Sequence, residues 1–246
     1  MPIIDYHPPM TRETALIVGV RHLGRVIARH FGKQGFEVVC AARTAADVEA
    51  CAKDVDAAGG KGVPLVCDLF DPASLRSLHE RNFDLVIASQ TAGGRFGAKP
   101  LLEIDDAELD QGLRAYVRGT WNLLKATGPR LCATGRGTFL QIGTSSGVRT
   151  KDGFAALGAA QHALRALVQV AAREWRGSGV HVAYLPIDGA IESERTREWI
   201  AKNGPDRAVD PQAIAQACEF LHRQPPRSWT HELVLRPVGS DWTGPT

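Results

Sequence analysis

The chain has 246 residues, a formal net charge of +2, 44 % hydrophobic and 23 % charged residues, an ordinary globular composition long enough for one large α/β domain. So small a charge, with the arginines spread along the chain, supplies no basic stripe for nucleic acid or an anionic bilayer. No apolar run approaches the roughly 18–20 residues that span a membrane.

Residues 1–13 carry a Pro-Pro pair and little periodicity, and read as a flexible arm without the pattern of a secretory signal. Residues 14–246 read as a single domain. It opens with a short apolar run ending in glycine, TALIVGV, followed by RHLGRVIARHFGKQG, with apolar and small residues at helical spacing. Strand, glycine turn and helix make the first βα unit of a dinucleotide-binding fold. FEVVCAAR is a second buried strand, and TAADVEACAKDVDAAGG a helix started by Thr44, with Asp47 completing an approximate capping box. KGVPLVCDLF is a third strand; DPASLRSLHERN is a helix entered through Asp-Pro. FDLVIASQTAGG gives a fourth strand and a small-residue turn.

Residues 102–131 read as one long helix, residues 137–147 (GTFLQIGTSSG) as a fifth strand with a hydroxyl-rich loop, and residues 153–167 (GFAALGAAQHALRAL) as a buried helix. HVAYLPID is a sixth strand. A polar excursion at residues 192–204 and a helix at 211–224 precede a last strand, HELVLRP. Alternation without a composition break predicts a doubly wound, Rossmann-type parallel sheet of about seven strands with helices on both faces. Cys40, Cys51, Cys67, Cys132 and Cys218 stand singly with no CxxC pair, which points to core thiols in a reducing cytoplasm and to no metal site.

The GTSSG loop and the helix after it resemble the active-site segment of the short-chain dehydrogenase/reductase family, which typically reads NISS…YxxxK. The resemblance covers roughly residues 14–240. It implies an oxidoreductase in which hydride passes between NAD(P) and a carbinol carbon. A tyrosine exchanges the proton, a lysine lowers its pKa and holds the ribose, and a serine binds the substrate oxygen. On this chain the tyrosine falls on Leu157, the lysine on Gln161 and the serine on Thr144. The asparagine of the family's long helix falls on Tyr116, and the proline of its PG turn on Asp188. Leucine donates no proton, and a neutral amide depresses no neighbouring pKa by Coulomb attraction, although it can still donate hydrogen bonds to a ribose. Thr144, Tyr116 and Asp188 are therefore the candidate catalytic residues, remnant or alternative. The simpler readings rank first: Tyr116 fills space and Asp188 caps a turn.

The resemblance implies a nucleotide site at Gly19, Arg21, Gly24, Arg43, Asp68, Leu69, Gln161 and Ile191. The family's glycine turn is one residue shorter here, with His22 and Val18 at two of its positions. Arg43 and Arg21 favour NADP(H) over NAD(H), if the site is more than an empty remnant. His162 lies about 100° around the helix from Gln161 and should face a neighbour rather than the pocket. Trp229, Trp242 and Arg236 read as core or interface packing, and Glu194, Arg195, Arg197 and Trp199 as a polar, bulky pocket lip.

Two functions follow. One is a degenerate oxidoreductase subunit, silent alone, that forms a homo-oligomer or a hetero-oligomer with an active family member through the helices carrying Tyr116 and Gln161. The other is a repurposed NADP(H)-dependent enzyme that reduces an imine, enone or carbonyl, or runs a redox-neutral step.

Overall fold

The computed structural model of the chain describes residues 12–91 and 98–240. The expected βα alternation is realised as β1 (Thr14–Val18), α1 (Leu23–Lys33), β2 (Glu37–Ala42), α2 (Ala45–Ala57), β3 (Lys61–Val66), α3 (Pro72–His79) and β4 (Leu85–Ala88). The second half adds α4 (Asp106–Gly112), α5 (Gly119–Thr134), β5 (Thr138–Thr144), α6 (Ala155–Trp175) and β6 (His181–Ile187). A short pair, β7 (Ala190–Ile191) with β8 (Ala208–Val209), frames α7 (Arg197–Asn203), and α8 (Pro211–His222) follows.

The central sheet has six parallel strands in the order β3-β2-β1-β4-β5-β6. The winding reverses between β1 and β4, and in such sheets the carboxyl ends of the strands at that point form the ligand crevice. Helices cover both faces, which is why β1, β4 and β6 are apolar runs instead of alternating ones. One core cluster joins Ile17, Ile27, Phe31, Leu185, Ile214 and Leu221 beneath α1 and α8; the other joins Leu16, Val39, Phe139, Leu123, Leu164 and Tyr184 beneath α5 and α6.

The seventh strand is present only in part. Residues 231–235 run parallel to β6 and exchange bonds with it, Tyr184 N–H to His231 O at 2.8 Å and Leu233 N–H to Tyr184 O at 3.1 Å, yet make only isolated bridges. Part of what anchors this segment is His181. Its ring stacks on Trp229 at 5.0 Å, with Nδ1 3.0 Å from Leu221 O and Nε2 2.9 Å from Thr230 O. Burial holds this imidazole below its ordinary value of 6.5, and the two carbonyls offset that only partly. A depressed folded-state pKa gives stability that is complete above the unfolded value and lost as pH falls through the folded one. Thermal unfolding followed from pH 7.5 to 5 should therefore show an acid loss that His181→Phe reduces.

Two local readings change. Residues 102–131 are not one regular helix, because the turn Leu113–Arg118 between α4 and α5 is a π-helix. Such wide turns concentrate at functional sites, and this one carries Tyr116. Thr44 precedes α2 as expected but makes no side-chain cap bond, and the carboxylate of Asp47, the other half of the expected box, accepts from Arg21 instead. Asp71 does cap α3, accepting from Ala73 N at 3.2 Å and Ser74 N at 2.9 Å.

Candidate active site

The glycine turn between β1 and α1 is explained first by packing. Gly19 has φ +91°, its N–H donates to Ala41 O at 2.8 Å, and a Cβ on it would lie 2.7 Å from Ser89 O. A Cβ on Gly24 would lie 2.2 Å from Gly19 O. Both positions press one backbone on another and tolerate no side chain.

Helix α1 leaves this turn with no side-chain cap and no acid in its first turn. An uncapped helix start has N–H donors and a positive dipole end for an anion. Around it stand Arg21, paired with Asp47 at 2.9 Å, and His22, whose pKa is lowered by partial burial and then by the charges of Arg195 and Arg21. Arg195, from the lip segment, therefore reaches the same neighbourhood. Arg43, just past β2, is exposed. Past β3, Asp68 accepts from Phe70 N at 3.0 Å, a local turn bond, and Leu69 is buried with its carbonyl accepting from Asn122 at 2.8 Å. Ile191 is half-buried, and its carbonyl accepts from Thr196 Oγ1 at 2.7 Å.

At the end of β5 the structure brings together Thr144 and Gln161 and adds Tyr184, which the sequence reading passed over. Gln161 is 1 % exposed and its Oε1 faces inward, 3.3 Å from Thr144 N and 3.4 Å from Tyr184 Oη. The phenol also lies 3.4 Å from Thr144 O, and burial pushes its pKa up. A neutral amide can occupy this enclosed spot because it needs only hydrogen bonds, where an ammonium would have to be paired. These bonds engage only the carbonyl end of Gln161; the ribose contact expected of it would come from the amide N–H group, which takes no part in them. Tyr184 was missed because a tyrosine within a buried strand reads as core; its signal is a phenol three residues before the end of the β6 run HVAYLPI.

Thr144 Oγ1 is buried and without a partner among the described residues. Asp188, 4 % exposed, is held by Arg149 at 3.0 Å and Arg236 at 3.1 Å, which ties the end of β6 to the loop after β5 and to the C-terminal segment. Its role is ion pairing across three segments, beyond the turn cap its position suggested. Removing the charge with Asp188→Asn should destabilise the fold by about 3 kcal/mol, because both guanidiniums would lose the buried carboxylate they share; chemical denaturation measures it. Tyr116 packs against the core beneath α5 and α6. His162, expected to face a neighbour, bonds instead to Gly158 O of its own helix at 2.9 Å. The four buried thiols are unpaired by disulfides, and burial raises Cys67 to about 11 and Cys218 to about 12. Trp242 and the turn residues Ala92, Gly93 and Gly94 lie outside the described residues. No described helix is long and apolar enough to cross a membrane.

Comparison with known proteins agrees with this geometry. A family model described as enoyl-(acyl carrier protein) reductase matches residues 19–230. The chain belongs to the short-chain dehydrogenase/reductase family. Among curated relatives of this reductase-family chain is oxidoreductase UcpA of Escherichia coli K12, 26 % identical over 213 residues, covering 83 % of this chain and 78 % of that protein. Among solved structures, a metagenomic short-chain oxidoreductase in complex with NADP has a TM-score of 0.75 at 26 % identity, with 93 % of this chain and 98 % of that one aligned. An alcohol dehydrogenase of the archaeon Thermococcus sibiricus, complexed with 5-hydroxy-NADP, has a TM-score of 0.79 at 21 % identity, covering 94 % and 98 %, and supports the fold. The chain is thus an oxidoreductase of short-chain dehydrogenase/reductase type.

Proposed function

We propose that this chain is an NADP(H)-binding member of the family that does not carry out ordinary alcohol/ketone redox alone and acts within an assembly. One observation carries the reading. At the position matched to the family's lysine, Gln161 is enclosed and its Oε1 faces Thr144 and Tyr184, while the position matched to the tyrosine is Leu157. General acid–base help is worth roughly 10²–10⁴-fold in rate, and neither replacement supplies it. Tyr184 does not substitute for the missing acid, because it is fully buried and its hydroxyl lies against the Thr144 carbonyl.

The surroundings of the glycine turn fit a dinucleotide: an uncapped helix start without acids, beside Arg21, His22 and Arg195. Bound there, NADP(H) would supply a transferable hydride. The turn Gly19–Gly24 would face the diphosphate, Arg21 and Arg43 the 2′-phosphate, Asp68 and Leu69 the adenine, and Ile191 the nicotinamide end. A 2′-phosphate would compete with Asp47 for Arg21. The NADP complex of the metagenomic relative supports the same preference.

Assembly is read from a groove of about 1040 Å³ along α4, the π turn, α5 and α6, lined by Asp110, Leu113, Arg114, Val117, Trp121 and Leu167. Trp121 is 46 % exposed on it, more apolar surface than a solvated helix needs. A second copy, or an active sister chain, is the occupant this reading calls for. Titration calorimetry with NADPH and NADH, followed by native mass measurement, tests both parts. Preferential NADPH binding and an oligomer dissociated by Trp121→Glu are expected. A monomer that ignores both nucleotides would overturn the reading.

The alternative, a repurposed reductase for an imine or enone, is favoured by one feature. The hydroxyl of Thr144, the residue matched to the family's substrate-oxygen position, has no partner among the described residues.

A further inference from the structure

The C-terminal segment lies against β6 through few main-chain bonds, and its side-chain ties gather on ionisable groups. Residues 231–235 follow β6 by isolated bridges, with Tyr184 N–H bonded to His231 O at 2.8 Å, Leu233 N–H to Tyr184 O at 3.1 Å and Leu235 N–H to Pro186 O at 3.1 Å. At one end of the segment, Trp229 stacks at 5.0 Å on His181, the first residue of β6. At the other, Arg236 pairs with Asp188 at 3.1 Å; between them Glu232 accepts from Arg165 of α6 at 2.7 and 2.8 Å.

His181 is 3 % exposed, and both of its ring nitrogens face carbonyls, Nδ1 at 3.0 Å from Leu221 O and Nε2 at 2.9 Å from Thr230 O. A carbonyl only accepts, and a neutral imidazole has one N–H. Neutral His181 therefore bonds one carbonyl and turns a lone pair on the other. Protonated, it bonds both, but as a charge buried beneath Trp229. The docked segment suits neither form of the ring.

The groups around the ring add to the cost of its charged form. From the end of α8 comes His222, set between Thr138 Oγ1 at 2.9 Å and Glu13 Oε1 at 3.2 Å, with Arg223 holding the same Glu13 at 2.7 Å. From the segment itself comes His231, 3.2 Å from Val182 O and 4.0 Å from Glu232. Strand β5 sets the neutral Thr138 in register with His181. The two carboxylates thus stand against His222 and His231, and positive charge on either of those rings opposes charge on His181.

We infer that His181 is a proton-operated latch: at neutral pH residues 229–236 are docked on β6, and acid frees them while the rest of the sheet stays folded. Undocking lifts Trp229 from the ring and lets water reach it, which removes the penalty on its charge. A ring whose charged form is disfavoured only in the docked state gives docking that is complete above the ring's free pKa and lost as pH falls through the docked one. Release also parts Arg236 from Asp188 and Glu232 from Arg165, loosening the end of β6 and the helix that carries Gln161. The inference goes beyond the proposed function, since it needs neither nucleotide nor partner.

Amide hydrogen exchange of the full-length protein at pH 7.5 and 5.5, corrected for the intrinsic pH dependence of exchange, tests it. Protection at Tyr184, Leu233 and Leu235 should fall about fivefold to tenfold relative to the amides of β1 and β4. In His181→Phe, which keeps a ring for Trp229 but has no proton to gain, that ratio should change less than about twofold. His181→Gln, which offers one N–H and never charges, serves if the phenylalanine variant does not fold. Segment protection that stays constant, that falls only in step with β1 and β4, or that falls equally in the uncharged variant would overturn the inference.

Discussion

Replacing Gln161 with lysine should destabilise this protein by about 3–5 kcal/mol, although lysine is the residue the family carries at the matched position. The expectation follows from what the side chain touches. Gln161 Oε1 lies 3.3 Å from the Thr144 amide and 3.4 Å from the Tyr184 phenol, inside a spot 1 % exposed. An ammonium there would lose water, find no carboxylate among these contacts, and leave the Thr144 N–H without its acceptor. Gln161→Leu, which removes the hydrogen bonds without burying a charge, should cost less, about 1–3 kcal/mol. The order of the two variants in urea unfolding is the check. A lysine variant as stable as the parent would mean that this position opens onto solvent or a ligand.

The second large effect is at the glycine turn. Gly24→Ala should cost several kcal/mol in the absence of any nucleotide, because its Cβ would sit 2.2 Å from the carbonyl oxygen of Gly19, a backbone atom that moves only if β1 and α1 separate. Gly19→Ala adds a positive φ of +91° to a contact of 2.7 Å with Ser89 O. These residues thus hold the first βα unit together whether or not a phosphate rests on it. Melting temperatures of the nucleotide-free variants decide the point. An alanine variant that melts normally but loses NADPH binding would assign the glycines to the ligand alone.

Most of the fold was legible because it rests on local patterns. The apolar runs at residues 14–18, 85–88 and 181–187 announce strands covered on both faces, and Asp71-Pro72 announces the helix it caps. The last strand was overcounted because HELVLRP has a strand's composition, while whether it forms a continuous ladder depends on β6, Trp229 and Arg236, which composition does not reveal. The Asp47 half of the capping box at Thr44 is lost to a distant, charged partner, Arg21. The π turn around Tyr116 has the same helical spacing in sequence as the α-helices flanking it.

At the candidate site, sequence identified the positions but not their contacts. Thr144 and Gln161 are neighbours, as the resemblance implied. The phenol in the β6 run was visible in the sequence, but its bonds to Thr144 and Gln161 from the next strand were not. Asp188 was visible as an odd residue in a turn; its two arginines come from loops 39 and 48 positions away in the chain. The buried hydrogen bonds from Gln90 to Thr120 and from Thr120 to Gln141 join side chains distant in the chain and have no sequence motif.

The most direct measurement is turnover by the purified chain, saturated with NADPH or NADP⁺, against a panel of ketones and secondary alcohols from pH 5 to 9. The account predicts nucleotide binding with turnover at least 10²-fold below that of a relative carrying tyrosine and lysine. Steady turnover of any secondary alcohol at the relative's rate would contradict it.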